Sequence, residues 1–122
     1  MHECSFAQSV IDTVVSQAKN QNVKKIKEVV MSFGVFSSIH LDQFAFCFDL
    51  VKIENDLTRS TNLVIKRVPG ELKCQTCGFE GEISEIPTSQ QDLAPVYPCP
   101  SCSSFTTEIL SGTETTVESI VV

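Results

Sequence analysis

Four cysteines set in two close pairs constrain this chain more than anything else in it. Cys74-Gln75-Thr76-Cys77 and Cys99-Pro100-Ser101-Cys102 stand on either side of residues 78–98. Two thiolates three residues apart fit one side of a metal ion, and two such knuckles supply the tetrahedral set of a closed structural Zn(II) site. The separation of the pairs sits at the edge of the common four-cysteine zinc patterns. A redox pair of C-x-x-C units and an iron–sulfur cluster are the alternatives that the spacing leaves open. Gly78, directly after the first pair, lets the backbone turn so that amide N–H groups approach the sulfurs. Over residues 71–104 helical periodicity disappears, and Pro95, Pro98, Pro100, Gly78 and Gly81 all fall there. A segment of that length cannot bury a core of its own, so its folding is expected to be coupled to metal binding.

The chain around this segment reads as one small domain of 122 residues, 42% of them hydrophobic, which is enough for a core. A net charge of −6 argues against a generic binder of phosphate backbones, which would be basic. No apolar run approaches the roughly 20 residues that a membrane span needs. The first residues carry no basic region leading into an apolar one, so a cytoplasmic location is expected. In that reducing compartment the paired cysteines hold metal rather than disulfides.

Taken in order, residues 5–20 form a helical stripe of Phe6, Val10, Val14 and Ala18, widened by Ala7, Ile11 and Val15. Asn20-Gln21-Asn22 stops it, because Asn tolerates the left-handed cap conformation. Residues 24–35 alternate as a strand, with Ile26 out of phase, which fits either a bulge or a start nearer Glu28. Ser37-Ser38 marks a turn and a candidate cap. Residues 41–53 form a second helix, with Leu41, Phe44, Phe48 and Val51 on one stripe and Phe46, Leu50 and Ile53 on another. Such a helix is either buried between layers or offers a partner surface. A polar loop over 54–62 leads to a strand at 63–68, and Pro69-Gly70 is the strongest turn signal in the chain. Residues 115–121 are rich in β-branched side chains and are expected to rejoin the first sheet, with Glu108, Glu114 and Glu118 in solvent. The fold class is therefore α+β: a small mixed sheet with two helices, interrupted by a zinc-ribbon-like insert holding four cysteines, and a C-terminal strand returning to the sheet. The expected division is 1–70 plus 105–122 for the α/β part and 71–104 for the zinc-binding part.

The remaining metal-ligating groups are few. Met1-His2-Glu3 puts an α-amine, an imidazole and a carboxylate within short reach, and the His2 amide can join them once deprotonated. A planar four-nitrogen set of this kind favours Ni(II) or Cu(II). Cys47, in an apolar helix, is expected to be a buried core thiol, and Cys4 to pack on the first helix, with a soft ligand for the N-terminal cluster as its alternative role. His40 is expected to be solvated or to cap the second helix.

These motifs in this order and spacing resemble the HypA family of nickel metallochaperones for hydrogenase maturation. The resemblance runs from Met1-His2-Glu3 and Ser5-x-Ala7-Gln8 through Val68-Pro69-Gly70 to the pair opening at Cys74. It continues through Pro98-Cys99-Pro100-x-Cys102 and Glu108-Ile109-Leu110-Ser111-Gly112 to Ser119-Ile120, so it covers essentially the whole chain. It implies Ni(II) held by His2 with the Met1 amine and the Glu3 backbone or carboxylate, and structural Zn(II) held by Cys74, Cys77, Cys99 and Cys102. It implies as partners a HypB-type nickel GTPase and the large subunit of a [NiFe] hydrogenase, with the urease machinery served by some members. The chain departs from some relatives in having no histidine over 78–98, and in carrying Cys4 where an aliphatic residue is usual.

The resulting expectation is a non-enzymatic carrier that binds Ni(II) at its N-terminus, with no nucleic acid partner. One rival is an acidic zinc-ribbon adaptor in which zinc is purely structural and the second helix is the contact surface. A zinc-ribbon nucleic-acid module clashes with the acidic charge. A metalloenzyme is poorly served by four Cys ligands, which leave no open position on zinc.

Overall fold

The computed structural model describes residues 2–86 and 96–122. Met1 of the expected nickel set and residues 87–95 of the expected insert lie outside the described residues. Contacts divide the chain into two units, one of Met1–Met31, Ile39–Ile65 and Val117–Val122, the other of Ser32–Ser38 and Lys66–Thr116.

The first unit opens with helix α1, Glu3–Asn20, whose buried residues Ala7, Val10, Ile11, Val14, Val15 and Ala18 are those of the expected stripe. It starts two residues earlier than the apolar pattern alone shows. Glu3 in the first turn suits the positive end of the helix, a signal that an apolar stripe does not carry. The stop is at Asn22, in the left-handed region at φ 57°. There the Val23 N–H donates to the Ala18 carbonyl at 2.9 Å and the Asn22 N–H to that of Lys19 at 3.2 Å, which satisfies the last carbonyls of the helix. Helix α2, Leu41–Lys52, buries Phe44, Cys47 and Phe48. Its second stripe is exposed, with Phe46 65%, Leu50 53% and Ile53 52% accessible, so this helix is not enclosed on both sides. The Phe6 and Phe44 rings, 5.4 Å apart and tilted, pack α1 against α2. After α2 the polar loop is pinned by two fully buried threonines: Thr58 donates to the Lys52 carbonyl at 2.7 Å and Thr61 to that of Ile26 at 2.7 Å.

A covalent tie between the helices was not expected. Cys4 and Cys47 are joined by a disulfide, with Cα atoms 5.0 Å apart, so neither is the free thiol that the sequence reading assigns. The Cα separation falls within the span that a disulfide bridges. The two left-over cysteines become partners because α1 and α2 pack face to face, which a one-dimensional pattern does not reveal.

Strands β1 (Glu28–Gly34), β2 (Asn62–Val68) and β6 (Thr115–Val121) form a sheet in the order β2-β1-β6. Lys27 donates to Val121 and Gly34 to Glu114, each at 2.7 Å, so β6 runs antiparallel to β1. Asn62 donates to Lys27 at 2.9 Å and Val35 to Val68 at 2.8 Å, so β2 runs parallel to it. The sheet is mixed, and the C-terminal strand returns to it. Ile26 lies outside β1 for a local reason: its N–H donates to Leu57 at 2.9 Å and its carbonyl serves Thr61, so it is fully buried without belonging to the ladder.

In the second unit β3 (Gly70–Cys74), β4 (Glu80–Ile83) and β5 (Thr107–Ile109) form a sheet in the order β4-β3-β5. Both pairings are antiparallel, with Leu72 opposite Gly81 on one side and Ile109 on the other. Its core is Val35, Phe36, Leu72 and Tyr97, backed by Ile83, Ile86 and Ile109. Residues 71–104 thus carry part of a core, completed by Val35, Phe36 and Ile109 from outside that stretch. Pro69-Gly70 is not a hairpin turn: β2 ends at Val68 and β3 starts at Gly70 in the other sheet. Pro69, which has no N–H to donate, is where the ladder changes.

Gly34, Gly70 and Gly112 meet at this change. A Cβ on Gly34 would overlap the Gly112 carbonyl, and one on Gly70 would overlap the Ser111 carbonyl and lie 2.7 Å from the Phe36 ring. Gly112 also has φ +100°. Substituting Gly34→Ala is expected to destabilise the protein by about 1–3 kcal/mol, because the obstacle is backbone and cannot rotate away. Urea denaturation of native and G34A protein checks this, and an unchanged midpoint would disprove the close approach.

Candidate metal centre

The two C-x-x-C units fold into near-copies of one another. In the first, the Cys74 N–H donates to the Phe79 carbonyl at 2.7 Å and the Gly78 N–H to the Cys74 carbonyl at 3.2 Å. In the second, the Cys99 N–H donates to Ser104 at 2.8 Å and the Ser103 N–H to Cys99 at 2.8 Å. Each loop therefore closes with the same two bonds at the same offsets. Amides point at the sulfurs as well: Thr76 and Cys77 donate to Cys74 Sγ at 3.4 and 3.5 Å, and Ser101 to Cys99 Sγ at 3.3 Å. Each loop also needs one residue in the left-handed region, Gly78 at φ 78° and Ser103 at φ 64°. Gly78 is legible as a turn residue from its type, whereas Ser103 is not, although Ser103 follows Cys102 as Gly78 follows Cys77. The side chains of Thr76, Ser104 and Thr106 hydrogen-bond to one another and clasp the two loops together.

In each pair the first cysteine is buried and the second exposed. All four sulfurs lie within 4.8 Å of one another, with Cys74–Cys102 and Cys77–Cys99 each at 3.6 Å. Four thiolates at about 2.3 Å from one zinc ion stand about 3.8 Å apart at tetrahedral angles. The observed spread brackets that edge, leaves room for a single ion rather than a multi-iron cluster, and is too long for a sulfur–sulfur bond. The set fits zinc. The Cys77 amide, with that of Thr76, holds the Cys74 thiol well below its ordinary value, at about 6, against the upward pull of burial. At Cys102 the Ser104 amide favours the thiolate, but burial and the sulfurs of Cys77, Cys74 and Cys99 outweigh it, and the thiol is pushed up to about 12. Four negative sulfurs cannot share this space without a cation, and a divalent ion supplies the missing charge.

The start of the chain is built differently. His2 is exposed and occupies the N-cap position of α1 at φ −115° and ψ 32°, with no side-chain cap bond. Its carbonyl accepts the Phe6 N–H at 2.9 Å, so the chain is helical immediately after it. The helix starts at residue 3, directly after this imidazole. Glu3 points inward and is only 3% exposed. Its Oε2 accepts the backbone N–H of His40 at 3.1 Å, at the N-terminus of α2. Burial pushes the Glu3 carboxyl up, but the positive charge at the chain start and the His40 and Glu3 amides outweigh it and hold it at about 2. His40 sits at the N-cap of α2, makes no side-chain cap bond there, and donates its backbone N–H to Glu3. No sequence signal pairs Glu3 with His40, since the pairing exists only once the helices pack.

A small α+β protein that carries a four-thiolate module and begins a helix at an exposed imidazole belongs to the class of metal-handling proteins. More narrowly, this chain belongs to the HypA family, described as hydrogenase/urease nickel incorporation metallochaperones, whose family model matches residues 1–122. It is 31% identical over 121 residues to a hydrogenase maturation factor HypA of Francisella philomiragia, covering 99% of this chain and 98% of the relative. It is 29% identical over 122 residues to one from Dehalococcoides mccartyi, covering 100% of this chain and 94% of the relative. Its fold is similar to the solution structure of the Ni metallochaperone HypA from Helicobacter pylori. That likeness has a TM-score of 0.64 at 25% identity and covers 99% and 97% of the two chains. Among the described residues no helix is long and apolar enough to cross a membrane.

Three outcomes are expected. Zinc binding at neutral pH releases protons, at least the one held by Cys102, and calorimetry in buffers of different ionisation enthalpy counts them. Ser103→Gly and Gly78→Ala shift the stability of the zinc-loaded protein in opposite directions, by about 1 kcal/mol each, since only glycine adopts the left-handed region without cost. The Glu3 carboxyl, ordinarily near 4.5 and held at about 2, contributes stability above pH 4.5 that is lost as the pH falls toward 2. In Glu3→Gln that part of the acid denaturation curve should flatten; a curve identical to the native one would disprove the assignment.

Proposed function

We propose that this protein is a non-enzymatic carrier of Ni(II), with nickel held at the chain start and zinc held permanently at Cys74, Cys77, Cys99 and Cys102. Residues 1–70 plus 105–122 then serve as the nickel-binding part and 71–104 as the zinc-binding part. The zinc site uses all four positions of its ion and has no place for a substrate, which suits scaffolding rather than catalysis. Membership of a nickel-incorporation family over the full chain supports the cargo.

The nickel ligands are the Met1 amine, the His2 imidazole and amide, and the Glu3 backbone. The observation that carries this reading is the conformation of His2. Successive amide nitrogens close a five-membered chelate ring when the intervening ψ is near zero, and ψ of His2 is 32°. The backbone nitrogens at the start of a helix have no acceptor within the helix, so a metal can take them without breaking its ladder. Of the two groups that Glu3 could offer, the backbone is favoured, because the carboxylate is buried and engaged by the His40 N–H. Amine, imidazole and deprotonated amides together favour square-planar Ni(II).

The partners that follow from the family are a HypB-type nickel GTPase and the large subunit of a [NiFe] hydrogenase, the final recipient, with urease machinery as a further client in part of the family. A cytoplasmic location fits the four thiolates, which need a reducing compartment. The exposed Phe46, Leu50 and Ile53 on α2 favour one second reading, an adaptor with structural zinc alone. The two differ in metal count, one per chain for the adaptor and two for the carrier.

Nickel calorimetry on zinc-loaded native protein, on His2→Ala and on a protein extended by one residue before Met1 decides between them. The native protein is expected to bind one nickel, and the other two to lose it while keeping zinc. Nickel binding by the extended protein as tight as the native would eliminate the amine. Affinity should also fall between neutral pH and about pH 6, as protons compete for the imidazole, amine and amide nitrogens.

A further inference from the structure

The Cys4–Cys47 bond has no role in the nickel chelate or the zinc site, yet it lies one residue beyond Glu3. We propose that it is a site of reversible thiol–disulfide exchange that governs how firmly the chain start holds nickel, an inference that rests on the nickel reading above. Three observations carry it.

The first is access. Cys4 is exposed, whereas Cys47 is buried. Both line an open depression of about 430 Å³ together with Glu3, Asp42, Gln43 and Phe46. A thiolate approaching from solvent reaches the Cys4 sulfur, and Cys47 is the leaving sulfur. With a dithiol as reductant, attack on Cys4 forms a mixed disulfide and frees Cys47 as a thiolate. The second thiol of the reductant then displaces Cys4, and the dithiol departs as its own cyclic disulfide. Two electrons pass to the protein, and protons from the reductant end on Cys4 and Cys47.

The second is the company the bond keeps. The same chain holds four unpaired cysteines whose sulfurs approach to 3.6 Å and which bind metal only as thiolates. A setting that preserves those thiols is reducing, and disulfides in reducing settings are exchanged rather than permanent.

The third is position. The first turn of α1 is tied to α2 by two consecutive residues, Glu3 through the His40 N–H and Cys4 through Cys47. Helix ends fray, and opening the covalent tie removes the one covalent restraint on the turn that carries the Glu3 nitrogen, leaving non-covalent contacts such as the Glu3–His40 bond and the Phe6–Phe44 packing. Oxidised protein therefore presents the His2 and Glu3 nitrogens of the chelate already ordered. Reduced protein must order them on binding and holds nickel about tenfold more weakly. Reduction becomes a means of loosening the cargo.

The test is nickel calorimetry on full-length, zinc-loaded protein, first oxidised and then reduced with a water-soluble phosphine that is removed under nitrogen before titration. Cys4→Ser and Cys47→Ser are titrated alongside, with far-ultraviolet circular dichroism and zinc content confirming that each is folded. Affinity about tenfold lower in the reduced protein and in both variants, restored on reoxidation of the native protein alone, supports the proposal. Equal affinity in both states, with only the denaturation midpoint shifted, makes the bond a structural cross-link and overturns the proposal while leaving the nickel reading standing. Tighter binding on reduction, with a sulfur-to-nickel charge-transfer band that Cys4→Ser lacks, also overturns it, because Cys4 would then be a ligand. Absence of nickel binding in both states overturns the nickel reading and this inference together.

Discussion

Three stretches of backbone cross where no side chain fits, at Gly34, Gly70 and Gly112, and the second unit is arranged around that crossing. The Phe36 N–H donates to the Gly112 carbonyl at 2.7 Å, and the Phe36 ring lies against both Gly70 and Gly112. That ring is 5.1 Å from Tyr97, whose carbonyl accepts the Thr107 hydroxyl at 2.5 Å. Tyr97 lies two residues before Cys99. The position of the second cysteine pair is thus transmitted from the glycines through one aromatic contact. A larger residue at Gly70 or Gly112 would crowd Phe36 directly, and one at Gly34 would meet the Gly112 carbonyl that accepts the Phe36 N–H.

The two candidate metal sites are built on opposite principles. The four-thiolate site is local: each loop closes on itself through bonds between residues four and five apart, and the strands only bring the loops together. The chain-start site depends on distant sequence, because Glu3 is fixed by His40 and Cys4 by Cys47. A local site keeps its geometry when the surrounding chain moves and suits an ion that stays. A site held by tertiary ties can be loosened by breaking one of them, which suits an ion that leaves.

This difference also sets what could be read from the sequence. The cysteine spacing disclosed the cluster of four sulfurs because each loop closes on itself locally. The helices were legible where periodicity spoke, as in the Ala7–Ala18 stripe, and the C-terminal strand through its β-branched residues. Pro69-Gly70 marked the end of β2 correctly, but nothing local shows that the break is used to pass between sheets. The short strands β3, β4 and β5 escaped notice because they lie among glycines, charges and thiols, and their burial depends on Phe36 and Tyr97. Cys4, Cys47 and Glu3 acquire partners only through helix packing, which no spacing rule encodes. Gly112 was visible only as part of a family resemblance, and its physical reason is the Gly70 backbone, 2.6 Å from where a Cβ would stand, together with a φ of +100°.

The two cysteine loops follow one path but fill its left-handed position with different residues, Gly78 in one and Ser103 in the other. Among the described residues, none apart from its two chain neighbours comes within 4 Å of where a Cβ on Gly78 would point, so crowding does not explain the glycine there. Metal capture therefore meets two kinds of resistance. At the first loop it restricts a residue with many alternatives, an entropic cost; at the second it holds a serine against its steric preference, an energetic one. The first weighs more as the temperature rises and the second does not, so the loops need not give up their hold together. Warming should loosen the glycine loop first, which makes the half of the site carrying Cys74 and Cys77 the one through which heat releases zinc.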